Sequence, residues 1–231
     1  MKRFYKKVTV KSVGGDFNVS LDEKSILTPR KNLLLLPNRT LAEAIASEWR
    51  IQGEVIRPSE MPMMSLASTV IDRLVPQRID VINAIVSYAQ TDLLCYRAPE
   101  PNELIRRQCD IWDPLLQWAK INLNADFSVT TGIMPLEQPK HIEIAIRAAL
   151  VCYDEFTLIA LHELTTISGS IVIGLAVIEG EIGVDDGIVA AQLDTLYQIE
   201  RWGEDTEGTL KLKNMRQAML DAANFIVLLE R

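Results

Sequence analysis

The chain has 231 residues, 48% of them hydrophobic, with a formal net charge of -7. That much apolar material supports a packed core and excludes a disordered polypeptide, while the acidic balance argues against general nucleic-acid binding, which needs a basic surface. The charge is unevenly spread: residues 1–120 carry 17 Lys/Arg against 14 Asp/Glu, and residues 121–231 carry 7 against 17, so the acidic second half suits a basic partner.

Residues 4–36 alternate at period two, through Val8 and Val10, then Phe17, Val19 and Leu21, then Leu33 and Leu35. This is the pattern of half-buried strands. Gly14-Gly15-Asp16 is a hairpin signal, Asp22-Glu23-Lys24 a second turn and Thr28-Pro29 a break, so the segment reads as a small antiparallel sheet. At Pro37 the period changes. Asn38 is placed to cap a helix whose stripe is Leu41, Ile45 and Trp49, with Glu43 and Glu48 off the stripe and Gly53 at its end. Pro62 opens a second helix with Met61, Met64, Leu66-Ala67 and Val70-Ile71 on one face; Pro76 opens a third carrying Ile79, Ile82, Ile85-Val86 and Ala89.

Residues 88–119 are the most distinctive stretch. Pro99 and Pro101 interrupt the chain, a helix restarts near Asn102, and Pro114 predicts a break between two helical pieces at Trp112-Asp113-Pro114. Residues 122–138 lack a stripe and read as a loop or extended arm. Pro139 starts a helix to about Val151, and Asp154 caps a long one to about Ile178. After an acid-rich turn (Glu179, Glu181, Asp185, Asp186), Asp186 leads a helix closed by Gly203, and a last helix runs from about Thr209 to Leu229. The predicted fold is α+β: a β-rich N-terminal domain with flanking helices over residues 1–75, then a larger all-helical domain over residues 76–231.

Chemistry-bearing motifs are sparse. Neither a phosphate-binding loop, a dinucleotide fingerprint nor a nucleophile elbow occurs. His141 and His162 stand apart without metal-ligand spacing, so no metal or cofactor is expected; His162 beside Glu163 points in a different direction from it on a helix. Cys95, Cys109 and Cys152 are odd in number and form no C-x-x-C, which reads as reduced thiols that pack rather than react. Asp92, Cys95 and Arg97 form a polar cluster, the one place for a small enzyme's pocket, but no histidine or second acid accompanies them. Trp49, Trp112, Trp118 and Trp202 each fall near the end of a helical run, where an indole packs a junction or anchors a partner. Met61, Met63 and Met64 fit either core packing or an adaptable binding surface. The N-terminus, MKRFYKKVTV, lacks the apolar core of a signal peptide, and the apolar run at 164–178 falls short of the ~20 residues a membrane span needs.

Taken in order, several of these segments resemble the Atp12 family of assembly chaperones for the F1 sector of ATP synthase. They are KRFYKKVTV, Thr28-Pro29, Leu41-Ala42-Glu43-Ala44, Glu48-Trp49, Gln52, Ile56, Met61-Pro62 and Thr69, then residues 91–97, Trp112-Asp113-Pro114-Leu115 with Trp118, and Tyr197-Gln198-Ile199 with Trp202-Gly203. The resemblance covers nearly the whole chain. It implies a β-rich domain followed by a helical one and a non-enzymatic, ATP-independent role: binding the unassembled α subunit of F1 until the β subunit arrives. It also implies a bacterial cytoplasmic protein (mitochondrial matrix in eukaryotic relatives), without nucleic-acid or membrane partners and expected as a monomer. Trp49 and Asp194 carry functional weight by resemblance, and Glu48, Trp112 and Trp202 join them as expected protein-binding residues. The chain departs from the family at Leu193-Asp194-Thr195-Leu196, where an acidic cluster is thinned to one acid, and at Met64 and Leu27. The alternatives are an enzyme pocket around Asp92, Cys95 and Arg97, or a structural subunit retained in a complex.

Overall fold

The computed structural model describes residues 2–132, 135–204 and 206–230. It divides into two compact units: Met1–Arg78 with Glu155–Ala160 and Asn224–Arg231, and Ile79–Asp154 with Leu161–Ala223.

In the first unit, β1 (Val8–Val13), β2 (Asp16–Leu21) and β3 (Lys24–Ser25) form an antiparallel sheet of order β1-β2-β3, with Val10 opposite Val19. Both turns fall where the sequence places them. Gly14 and Gly15 have positive φ, and so do Asp22 and Glu23; the Asp22 carboxylate accepts the Lys7 N–H at 2.7 Å, which helps hold that unusual conformation. Beyond β3 the alternation shifts by one. Leu34 and Leu36 are fully buried, whereas Leu33 is exposed. The reason is the Thr28–Asn32 turn, in which Lys31 takes positive φ and the strand-like arm re-enters with Leu34 and Leu36 facing inward.

The helix α1 (Arg39–Ile51) begins at Asn38, whose Oδ1 accepts the Leu41 N–H at 2.8 Å. The Asn38 amide also donates to the carbonyls of Leu228 and Leu229, so one side chain serves two helix ends. Leu41 and Ile45 are fully buried and Trp49 nearly so. The helix ends as Gln52 turns extended, without a glycine cap at Gly53. Next comes α2 (Pro62–Thr69), whose buried face is Met63, Ala67 and Ser68; Met64 is only half-buried. A π-helical turn, Val70–Leu74, follows, and a 3-10 turn with Pro76 leads into α3 (Arg78–Ser87). Ile82, Ile85 and Val86 are buried there, but Ile79 is 73% exposed, because the preceding turns rotate the stripe.

The second unit contains α3 beyond Arg78, β4 (Tyr96–Arg97), α4 (Asn102–Asn122), β5 (Thr130–Thr131), α5 (Lys140–Val151), α7 (Ile171–Ile178) and α8 (Val184–Trp202), with most of α6 (Glu155–Ser168) and α9 (Thr206–Leu229). The expected break at Pro114 does not occur: α4 runs unbroken for 21 residues. Pro114, Asp113 and Asp110 all lie on its exposed side, where solvent serves the carbonyl that the proline leaves without a donor. The long helix expected to about Ile178 is instead two. Gly169 takes φ +73°, and Ser170 caps α7 through its Oγ, which accepts the Ile173 N–H. The two helices pack closely: a Cβ on Gly174 would come within 2.8 Å of Thr165 Oγ1. The loop at 122–138 contributes β5, paired parallel to β4; positions 133 and 134 lie outside the described residues.

The first six residues of α6 and the last turn of α9 complete the first unit, with Phe156 stacked on Phe225 at 6.2 Å. No helix among the described residues is long and apolar enough to cross a membrane.

Candidate functional site

The first unit holds a groove of about 700 Å³. Its polar end is built on Asp72, which the π-helical turn Val70–Leu74 presents to the Thr28-Pro29-Arg30 turn. One carboxylate oxygen accepts the Thr28 hydroxyl at 2.6 Å and the Asn32 amide at 2.8 Å; the other accepts the Arg30 N–H at 3.0 Å. Burial alone would raise this carboxyl, but those donors and the Arg30 charge outweigh it and hold Asp72 below the usual carboxylate range. Arg30 also donates to the Asp72 carbonyl at 3.0 Å. No sequence motif marks Asp72, which is 40 residues from Asn32.

The apolar wall comes from Leu27, Trp49, Ile56, Met61 and Met64. Trp49 is fixed from behind: its ring meets Tyr5 edge-on at 5.5 Å, and its carbonyl accepts the Tyr5 hydroxyl at 2.5 Å. Glu48, expected on the free side of α1, is buried at 8% exposure, and its carboxylate accepts the Met63 and Met64 N–H groups. It thus spaces α1 from α2 and sets the wall. The first-unit site therefore brings together Glu48 and Trp49 of the five expected residues.

The other three lie in the second unit. Trp112 is fully buried; its indole donates to the Ala190 carbonyl at 2.9 Å and the Arg97 guanidinium lies 5.1 Å from its ring. It ties α4 to α8 and does not reach solvent. Asp194, half-buried, accepts the Gln108 amide at 2.8 Å. Gln108 in turn accepts the Ala98 N–H at 2.9 Å. Trp202, by contrast, is 79% exposed on the last turn of α8. Asp194, Gln198 and Trp202 follow one another at helical spacing of four, so they share a face. Beside it, Tyr197 is flanked by the guanidinium groups of Arg107 and Arg201, which pair with Glu103, and Arg107 also pairs with Glu200 at 2.7 Å. Desolvation alone would raise Glu103, but the charges and bonds of Arg201 and Arg107 together outweigh it and hold the carboxyl below the usual carboxylate range.

Asp92, Cys95 and Arg97 are engaged in structure. Asp92, fully buried, caps both the Leu93–Cys95 turn and α7: it accepts the Leu94 N–H at 3.0 Å and the Val172 N–H at 3.1 Å. Burial pushes its carboxyl up to about 6 against the lowering effect of Ser170 and the backbone donors. Burial and the nearby Asp92 charge push the Cys95 thiol far up, so it is poor material for a thiolate nucleophile. Arg97 donates to the Leu94 carbonyl at 2.8 Å and pairs with Asp113 at 2.8 Å. His162 and Glu163 come within 3.8 Å of each other, beyond hydrogen-bond reach. Among the described residues, no three His, Cys, Asp or Glu side chains converge as a metal site would require.

Residues 2–120 match the protein family described as ATP12 chaperone protein. The chain is similar to the mitochondrial protein atp12 of Schizosaccharomyces pombe, 23% identical over 214 residues that span 87% of this chain and 74% of that one. The crystal structure of Atp12 from Paracoccus denitrificans superposes with a TM-score of 0.93 at 39% identity, covering 98% of this chain and 97% of the other. A protein from Agrobacterium tumefaciens matches with the same TM-score and identity over 99% of this chain and 86% of its own. With the sheet and helices in the order that the Atp12 resemblance implied, and structural relatives matched over almost their whole length, the chain belongs to the ATP12 chaperone family.

Proposed function

We propose that this protein is an ATP-independent chaperone that binds the unassembled α subunit of F1 ATP synthase and covers the surface that will later meet a neighbouring subunit. An isolated subunit of a ring assembly exposes apolar surface that aggregates, and a reversible cover needs an apolar anchor with a charged surround. The exposed face of α8 carries this reading: Trp202, 79% exposed, follows Asp194 by two turns, with the paired Glu and Arg side chains around Tyr197 beside it. Such an indole in water costs solvation and gains when a partner buries it. Trp202 and Asp194 contact the client in this reading; Trp49 acts through the groove wall, while Glu48 and Trp112 hold the two surfaces in shape. The protein works as a monomer without nucleotide or metal chemistry. Its sources of similarity, one mitochondrial and two bacterial, support a place in the bacterial cytoplasm or its mitochondrial descendant.

The test is dilution of denatured F1 α and β subunits into buffer with the full chain, followed by light scattering and co-purification, with and without ATP. Suppression of α aggregation that is independent of ATP, and weakened by Trp202→Ala, is the expected result. Aggregation of α unchanged by the wild-type chain overturns the proposal.

A further inference from the structure

The groove of the first unit has features of a site that awaits an occupant. Two of its lining residues are more than nine-tenths buried yet carry a polar atom with no hydrogen-bond partner among the described residues: the indole N–H of Trp49 and the hydroxyl of Ser68. Neither is a normal state for a buried polar group, since each unmet bond costs on the order of 1–3 kcal/mol. Ser68 is the more telling. A helical Ser ordinarily returns its hydroxyl to a carbonyl one turn back, as Thr69 does to Ser65 at 2.9 Å, and Ser68 does not.

The two orphans define what fits. An indole N–H only donates, so it needs an acceptor; a hydroxyl completes a donor or an acceptor. A peptide group supplies both a carbonyl and an N–H within one unit. A fatty acid's headgroup at neutral pH supplies acceptors alone. The walls, Met61, Met64, Ile56 and Leu27, are apolar, the two methionines adaptable in shape, and they suit a large aliphatic side chain. The rim gives the charge. Asp72 is saturated by the Thr28–Asn32 turn, whereas Arg73 is exposed and pairs with no carboxylate among the described residues. The surroundings agree: residues 1–78 carry 13 Lys/Arg against 8 Asp/Glu, in a chain whose total is -7.

We infer that the groove receives an extended polypeptide segment of the client that presents a large aliphatic side chain next to an acidic one. The aliphatic side chain lies against Met61 and Met64, the acid meets Arg73, and the intervening peptide group meets Trp49 and Ser68. Only the source of that segment rests on the chaperone reading; the chemistry is set by the groove.

The experiment uses the full chain and a fluorescein-labelled octapeptide with a glutamate between two leucines, followed by polarisation. A second octapeptide carries lysine in place of the glutamate. Two variants start from exposed positions, so that folding is kept and checked by circular dichroism: Ser65→Trp, which fills the groove, and Arg73→Glu, which reverses its rim. Saturable binding of the acidic peptide is expected, at least about tenfold weaker for the lysine peptide and for Arg73→Glu, a factor equal to roughly 1.4 kcal/mol, and lost in Ser65→Trp. Equal binding of both peptides, binding that survives Ser65→Trp, or no binding of either peptide overturns the inference. The same variants in the α-subunit assay separate it from the proposed function. Peptide capture without any effect on α leaves the groove standing and removes the client, whereas protection of α that Ser65→Trp leaves intact removes the groove as the client's site.

Discussion

Glu48 caps a helix that is not its own. Its Oε1 accepts the Met63 N–H at 2.7 Å and its Oε2 the Met64 N–H at 2.9 Å. The residue at the N-cap of α2, Met61, offers no side-chain acceptor, and Pro62 has no N–H to satisfy, so the first free donors of α2 fall to a carboxylate supplied by α1. Because the site is buried, water is a poor replacement. Glu48→Ala is expected to lower stability by about 1–3 kcal/mol, and Glu48→Gln by less, since the amide keeps one acceptor. Urea denaturation measures both; an alanine variant as stable as wild type would remove the capping role.

The two tryptophans separate cleanly by burial. Trp112 fills the core of the second unit, and its indole bonds the Ala190 carbonyl, so Trp112→Ala is expected to cost about 3–5 kcal/mol. Trp202→Ala, at 79% exposure, is expected to change stability by no more than about 0.5 kcal/mol and to weaken protection of the F1 α subunit. Thermal melts alongside the scattering assay decide it. Loss of protection from Trp112→Ala only in proportion to its unfolding, and from Trp202→Ala without unfolding, is the predicted pattern.

Much of this architecture is legible in the residues. The turn glycines, the Asn38 cap and the proline-opened helices follow from local chemistry, and so the α+β order does too. What escapes is non-local. Asp72 has no neighbour in sequence that hints at Thr28 and Asn32, and Glu48 looks like a solvated residue until α2 is folded beside it. Periodicity also misjudges positions just after irregular turns: Ile79 continues the apolar stripe in sequence, but the π-helical and 3-10 turns before it rotate it into solvent. Pro114 fails as a breaker because its consequences fall on the wet side of α4. Of the expected contact residues, the sequence offers the right type at Trp202 and Trp112 but no sign of which one is buried.

Asp194 is held by Gln108, and Gln108 by the Ala98 backbone, so the acid sits at the end of a short polar chain. Asp194→Lys removes the acceptor and reverses the charge on the face shared with Trp202. Being half-buried, it is expected to cost only about 1 kcal/mol of stability. If the charge contacts the client, Asp194→Asn weakens α binding nearly as much as Asp194→Lys. If the hydrogen bond matters instead, Asp194→Asn keeps binding, since its carbonyl still accepts from Gln108. Co-purification with the α subunit distinguishes the two.

Two buried carboxyls give stability opposite dependences on pH. Asp92 has its carboxyl raised to about 6, above the ~3.9 of an unfolded chain. The folded state therefore binds the proton more readily, and the stability this contributes is full below about pH 4 and lost as pH rises through 6. Asp72 is lowered in the folded state, so its contribution is present above about pH 4 and lost as pH falls through its folded value. Cys95 is a titratable neighbour of Asp92, and its thiol, pushed far up by burial and by the Asp92 charge, keeps its proton through this range. Urea titrations at pH 7 and pH 5 are expected to show the Asp92 contribution as a gain in stability on going to pH 5, and Asp92→Asn is expected to abolish that gain while lowering stability at both. Asp72→Asn leaves the same gain in place and flattens the loss below pH 4. A gain unchanged in Asp92→Asn would mean that another group, not this helix-capping carboxyl, takes up the proton.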